Sequence, residues 1–121
     1  MEKSPGAART LLRYARDGGC IAIMADQRTS GGVATTFFGR SANSTPFPAF
    51  VARSAKVPLY VFGARRLPGA RFSVRLARVV VPRTADSAGD VATATKGLQS
   101  AFELMIRDAP DQWMWGHRRW D

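Results

Sequence analysis

The chain has 121 residues, 45% of them hydrophobic and 22% charged, with 18 basic against 9 acidic side chains and a formal charge of +9. That length allows one domain, residues 1–121, burying roughly two-thirds of its unfolded surface, and that hydrophobicity excludes a disordered chain. One cysteine, Cys20, excludes an internal disulfide, and with one histidine, His117, it cannot furnish a zinc set.

From Pro5 to Asp17, the apolar residues Ala8, Leu11, Leu12 and Ala15 recur at helical spacing opposite Arg9, Arg13 and Arg16, and Gly18-Gly19 ends the pattern. Residues 20–25 form a continuous apolar run too short for an independent helix; it predicts a strand covered on both faces, as in a parallel sheet. Residues 26–32 are polar and Gly-rich and predict a loop leaving that strand, with a short extended piece over residues 34–38. Thr45 is a candidate N-cap with Pro46 at the first helical position, for a helix to about Ala55 with Phe50, Val51 and Ser54 on one face.

Residues 58–62 predict a second apolar strand, completing a βαβ unit with a right-handed crossover. Leu67-Pro68-Gly69-Ala70 has proline and glycine at the centre of a type II turn. Phe72, Val74 and Leu76 then alternate with Ser73, Arg75 and Ala77, the pattern of an antiparallel edge strand with one wet face, ended by Pro82. A linker over residues 86–90 ends in Asp90 as N-cap candidate. Val91, Ala94, Leu98, Ala101, Phe102, Met105 and Ile106 keep a helical stripe until Pro110. The order predicts an α/β domain, helices layered on a mixed sheet.

The basic residues are 15 arginines and only 3 lysines. Guanidinium forks suit phosphate and carboxylate partners, although a GC-rich coding sequence produces the same excess. No run approaches the ~20 apolar residues of a membrane span, and Met1-Glu2-Lys3-Ser4-Pro5 lacks a signal-peptide core. Three tryptophans, the histidine and Arg118-Arg119 crowd residues 113–120, where amphipathic rings close a core or meet a lipid–water boundary. Asp26, just after an apolar strand, stands where α/β sheets collect ligands, or it bonds backbone N–H groups of its loop. Phe37-Phe38-Gly39-Arg40 sets two rings before a glycine able to turn tightly, bringing Arg40 to a ligand or to the surface. No phosphate-loop, dinucleotide or nucleophile-elbow motif occurs, and no cofactor is called for.

Ala25-Asp26-Gln27-Arg28, Thr36-Phe37-Phe38-Gly39-Arg40, Thr45-Pro46, Lys56-Val57-Pro58, Ala64-Arg65-Arg66 and Met114-Trp115-Gly116-His117-Arg118-Arg119-Trp120 stand in one order along the chain. That set resembles the late acyltransferases of lipid A biosynthesis. The resemblance implies an αβα sandwich of the glycerol-phosphate acyltransferase type, of which this is the C-terminal part. It also implies transfer of an acyl chain from an acyl carrier protein thioester to a phosphorylated glucosamine glycolipid, at the cytoplasmic face of the bacterial inner membrane.

Within that resemblance Asp26 matches an aspartate needed for full activity, and Gln27, Arg28, Phe38, Gly39, Arg40, Arg65, Arg66, His117 and Arg118 are the substrate-binding candidates. Arg65 and Arg66 are expected at the same sheet end as Asp26. The family's His-x-x-x-x-Asp/Glu motif, whose histidine is the general base, does not occur in these residues. Nor does the family's N-terminal hydrophobic anchor. The chain is therefore expected to be inactive alone, to contact the membrane peripherally, and to self-associate through exposed apolar surface. A different class, a non-enzymatic basic module binding anionic lipid or nucleic acid, fits the charge and aromatics; no nucleic-acid signature supports the latter, and nucleic acid is not the expected partner.

Overall fold

The computed structural model describes residues 5–120; residues 1–4, read above for a leader, lie outside the described residues. In chain order the elements are α1 (Pro5–Arg16), β1 (Arg28–Phe37), β2 (Arg40–Ser44), α2 (Phe47–Ala55), β3 (Leu59–Leu67), β4 (Arg71–Val79) and α3 (Ser87–Asp108), then a 3-10 turn, Pro110–Gln112. This is a mixed α/β arrangement with two separate antiparallel hairpins, β1–β2 and β3–β4. The expected single mixed sheet is not formed among the described residues.

The helices follow their periodicity. α1 ends where Gly18 takes φ +88° and the Gly19 N–H reaches the Tyr14 carbonyl, and Arg16 Nη2 donates to the Ser54 carbonyl of α2. In α2 the start falls one residue later than expected: Pro46 is the N-cap, and the Thr45 hydroxyl accepts from Phe47 N–H at 3.3 Å. Its buried face is Pro48, Ala49, Val51 and Ala52, while Phe50 is exposed. Asp86, not Asp90, caps α3, accepting from Gly89 N–H at 2.9 Å. Asp90 lies in the first turn, buried against Arg53 at 2.7 Å.

The strands depart further from expectation. Residues 20–25 are not a strand: they pair with no other segment among the described residues, so the parallel pairing with β3 is absent. Their burial still alternates with the period of two of an extended chain. Cys20, Ala22 and Met24 are exposed, Ile21 and Ile23 half-buried, and Ala25 buried. An apolar run specifies extension locally, whereas a ladder needs a second strand. The Gly-rich loop is instead a bulge inside β1, because Arg28 and Val33 both register with Ser44. Phe38 (φ +50°) and Gly39 (φ +74°) then make the two-residue turn to β2, the conformation of a type I′ hairpin.

β3 runs to Leu67, past Arg65-Arg66, before the Pro68-Gly69-Ala70 reversal, in which Gly69 and Ala70 both have positive φ. β4 pairs with it antiparallel, Phe62 opposite Leu76 and Ala64 opposite Val74. One face of this hairpin packs on α3: Val61, Val79 and Leu98 join Ala25 in a core cluster, flanked by Phe102 and Met105. Tyr60, Phe62, Phe72, Val74 and Leu76 share the other face and are 50–64% exposed. The apolar set expected to face inward on β4 thus faces out, because α3 took the opposite face. A second cluster of Phe37, Ala42 and Ile106 is closed by Trp113 and Trp120, with Phe102 touching both clusters.

Candidate functional site

The Trp-rich C-terminal segment folds back over the β1–β2 hairpin and the end of residues 20–25. Trp113 Nε1 donates to Asp26 Oδ2 at 3.0 Å, joining residues far apart in sequence. Trp120 Nε1 donates to the Phe37 carbonyl at 2.8 Å, and both indoles lie beside the Phe37 ring, at centroid distances of 5.7 and 6.0 Å. Trp113 and Trp115 meet edge to face at 4.6 Å. Tryptophan suits this position, since its ring fills apolar space while its one N–H ties a polar atom at the margin.

Beneath the tryptophans is a buried polar network. Arg119, 1% exposed, donates from Nη2 to Ser44 Oγ at 2.7 Å and Gln99 Oε1 at 2.9 Å, and from Nη1 to the Asn43 carbonyl at 3.1 Å. Its guanidinium also stacks 4.6 Å from the Phe37 ring centroid. Gln99 passes the link on, donating to the Ala25 carbonyl at 2.9 Å. The residue before Asp26 and the carboxylate of Asp26 are therefore held from two sides, by α3 and by the C-terminal segment. A buried guanidinium stays charged, so its hydrogen bonds to Ser44, Gln99 and the Asn43 carbonyl offset its loss of water, and such a network sets one geometry.

The candidates do not converge on one place. Asp26 and Arg65 line the same cavity of about 1160 Å³, bounded by residues 18–26, β3 and the C-terminal half of α3. Arg66 does not line it. Successive side chains of a strand point to opposite faces, and since β3 continues through Arg65-Arg66, the pair is split between two faces instead of sharing a sheet end. Arg66 borders a separate depression with Pro68, Phe72 and Asp111. Gln27 and Arg28 are exposed, Arg28 opening β1.

Phe38 is half-buried against Phe37 and under the Arg107 guanidinium at 4.9 Å, and its N–H donates to Glu103 Oε1 at 2.8 Å. Gly39 is the turn residue, and Arg40 lies 5.2 Å over the Trp120 ring. His117 and Arg118 are exposed, while the neighbouring Arg119 is the buried one. Trp113, which bonds Asp26, Gln99, which fixes the neighbouring Ala25 carbonyl, and Arg119, which bonds Gln99, are not among the sequence candidates. Gln99 left a legible signal: a polar residue on the apolar stripe of α3 must find a partner inside.

Among the described residues, no group of histidine, cysteine and carboxylates could hold a metal ion, and no helix is long and apolar enough to cross a membrane. The family model for bacterial lipid A biosynthesis acyltransferases matches residues 1–121, the whole chain. No curated protein matches it.

Proposed function

Because this chain belongs to the bacterial lipid A biosynthesis acyltransferase family, we propose that it forms part of a site transferring a fatty acyl chain from an acyl carrier protein thioester to a hydroxyl of a phosphorylated glycolipid. In that reaction the acceptor hydroxyl loses its proton to a base, its oxygen attacks the thioester carbonyl, and the tetrahedral intermediate expels the thiolate. Asp26 is proposed to orient the acceptor, because a carboxylate is a weak base toward an alcohol but accepts hydrogen bonds strongly. Arg65, in the same cavity, and Arg40 are the proposed phosphate or carboxylate contacts.

The observation that supports this reading is the Trp113–Asp26 hydrogen bond. It brings the Asp-Gln element and the Trp-rich ending, two pieces of the resemblance far apart in sequence, into direct contact. A general base is the part these 121 residues do not contain in His-x-x-x-x-Asp/Glu form, and His117, exposed and outside the Asp26 cavity, is not proposed for that role.

The chain alone is expected to transfer no detectable acyl group from a carrier-protein thioester to a lipid A precursor. A polypeptide bearing the histidine motif, fused or added in trans, is expected to bring transfer up. Asp26→Ala in that assembly should lower it again, and Trp113→Phe should lower it less. Turnover by the isolated chain that His117→Ala abolishes would instead make His117 the base.

A further inference from the structure

We propose that Arg119 is a positioning residue for Asp26 and acts through Gln99: it fixes which way the Gln99 amide faces, and that amide fixes the peptide that carries Asp26. The inference rests on the reading of Asp26 as the group that orients the acceptor.

The chemistry of the atoms gives the network a direction. A guanidinium has only donors, so every group that bonds Arg119 must accept. Gln99 meets it with Oε1 at 2.9 Å, which turns Nε2 to the Ala25 carbonyl, also at 2.9 Å. The two ends of a glutamine amide are nearly alike in shape, and only its neighbours tell them apart. The reversed amide would set donor against donor at Arg119 and oxygen against oxygen at Ala25. Gln99 is 0% exposed and Arg119 1%, so solvent does not reach these contacts to relieve them.

Arg119 itself is anchored on the β1–β2 hairpin. Nη1 donates to the Asn43 carbonyl and Nη2 to Ser44 Oγ. The Thr35 hydroxyl donates to the Ala42 carbonyl at 2.8 Å, so in its 2.8 Å contact with Ser44 Oγ the proton comes from Ser44. Ser44 therefore accepts from Arg119 and donates to Thr35, and this branch is as directional as the first. The hairpin holds the guanidinium, and the guanidinium sets the amide.

The result is felt at Asp26. The Ala25 carbonyl and the Asp26 nitrogen share one planar peptide, so a held oxygen fixes the plane from which the Asp26 side chain departs. Trp113 Nε1 holds the far end, at Oδ2. Asp26 is half-buried and lines the cavity, and these two restraints decide where its carboxylate stands there. An orienting group loses much of its effect when it shifts by about 1 Å. An apolar side chain would fill the space against Phe37 without the lost hydration of a buried charge; what the guanidinium adds is direction.

The test uses the whole chain and reads hydrogen exchange at two indoles, Trp113, bonded to Asp26, and Trp120, bonded to the Phe37 carbonyl. A general loss of stability speeds both equally, so their ratio reports Asp26 alone. Gln99→Glu keeps an acceptor for Arg119 but has no donor for the Ala25 carbonyl, and is expected to raise exchange at Trp113 relative to Trp120 about ten-fold. Arg119→Met should raise the ratio similarly, and Arg119→Lys, still donor-only, should raise it less even though it destabilises the fold. An unmoved ratio in Gln99→Glu, or Arg119→Lys no different from Arg119→Met, overturns the proposal. In the assembly that carries the histidine motif, Gln99→Glu should lower kcat/KM for the glycolipid about ten-fold with KM for the thioester unchanged, and equal kcat/KM would overturn the proposal too. The exchange ratio needs no transfer activity, so an assembly of the unaltered chain that transfers nothing counts against the acyl-transfer reading, and the ratio still decides the role of Arg119.

Discussion

Replacing Arg119 by alanine is expected to destabilise the fold by about 3 kcal/mol, because Ser44 and Gln99 would lose a charged donor inside the protein. Arg118→Ala, one residue away and exposed, should stay within about 0.5 kcal/mol. A pair of urea titrations checks the contrast. Arg119→Lys should recover only part, since an ammonium cannot span Ser44, Gln99 and the Asn43 carbonyl as a planar fork does. Asp90 offers a pH test. Burial by itself would raise its carboxyl, but hydrogen bonds from Arg53 and Thr84 outweigh that and hold it below the ordinary 3.8. A lowered native value means its contribution is fully present above that ordinary range and is lost as pH falls through the lowered one. Asp90→Asn should therefore lower the melting temperature at neutral pH and flatten the acid limb of a stability–pH curve. An unchanged acid limb would show that other carboxyls govern it.

The turn of the β1–β2 hairpin depends on two residues with positive φ, and only one of them is glycine. Gly39→Ala is expected to cost about 1 kcal/mol, as a Cβ must be held in the left-handed region, although open space surrounds it. Gly32→Ala should cost more for a different reason: its Cβ would run into the backbone of Ser44 where the bulge folds onto β2. Denaturant midpoints order the two, and a larger loss at Gly39 would contradict the bulge geometry. Phe38 accepts its conformation because its ring packs on Phe37 and its N–H is taken by Glu103. The Gly-Gly of residues 31–32 was legible as a break in regular structure. That the break is a bulge within a strand was not, because a bulge is defined by what lies opposite it, here Ser44.

Across the whole molecule, the outer face of β3–β4 combines exposed apolar side chains with arginines and no carboxylate, a surface suited to an anionic lipid boundary. Co-sedimentation with vesicles containing an anionic lipid is expected, weakening as salt rises toward about 0.5 M. Phe72→Glu with Leu76→Glu should remove it, and equal binding to neutral vesicles would contradict the electrostatic part. The sequence by itself determined α1, α3 and the Pro68-Gly69 reversal, since helical period and turn residues are set by neighbours a few positions apart. Its ordered motifs also sufficed for the family. Only the tertiary structure decided that residues 20–25 join no sheet among the described residues and that α3 covers one face of β3–β4 and leaves its apolar opposite bare. It alone separated Arg65 from Arg66, buried Arg119 beside an exposed Arg118, and set Trp113 on Asp26. Each of these is a choice of partner among distant segments. A side chain's local pattern states what it must bury or bond, and packing settles with whom.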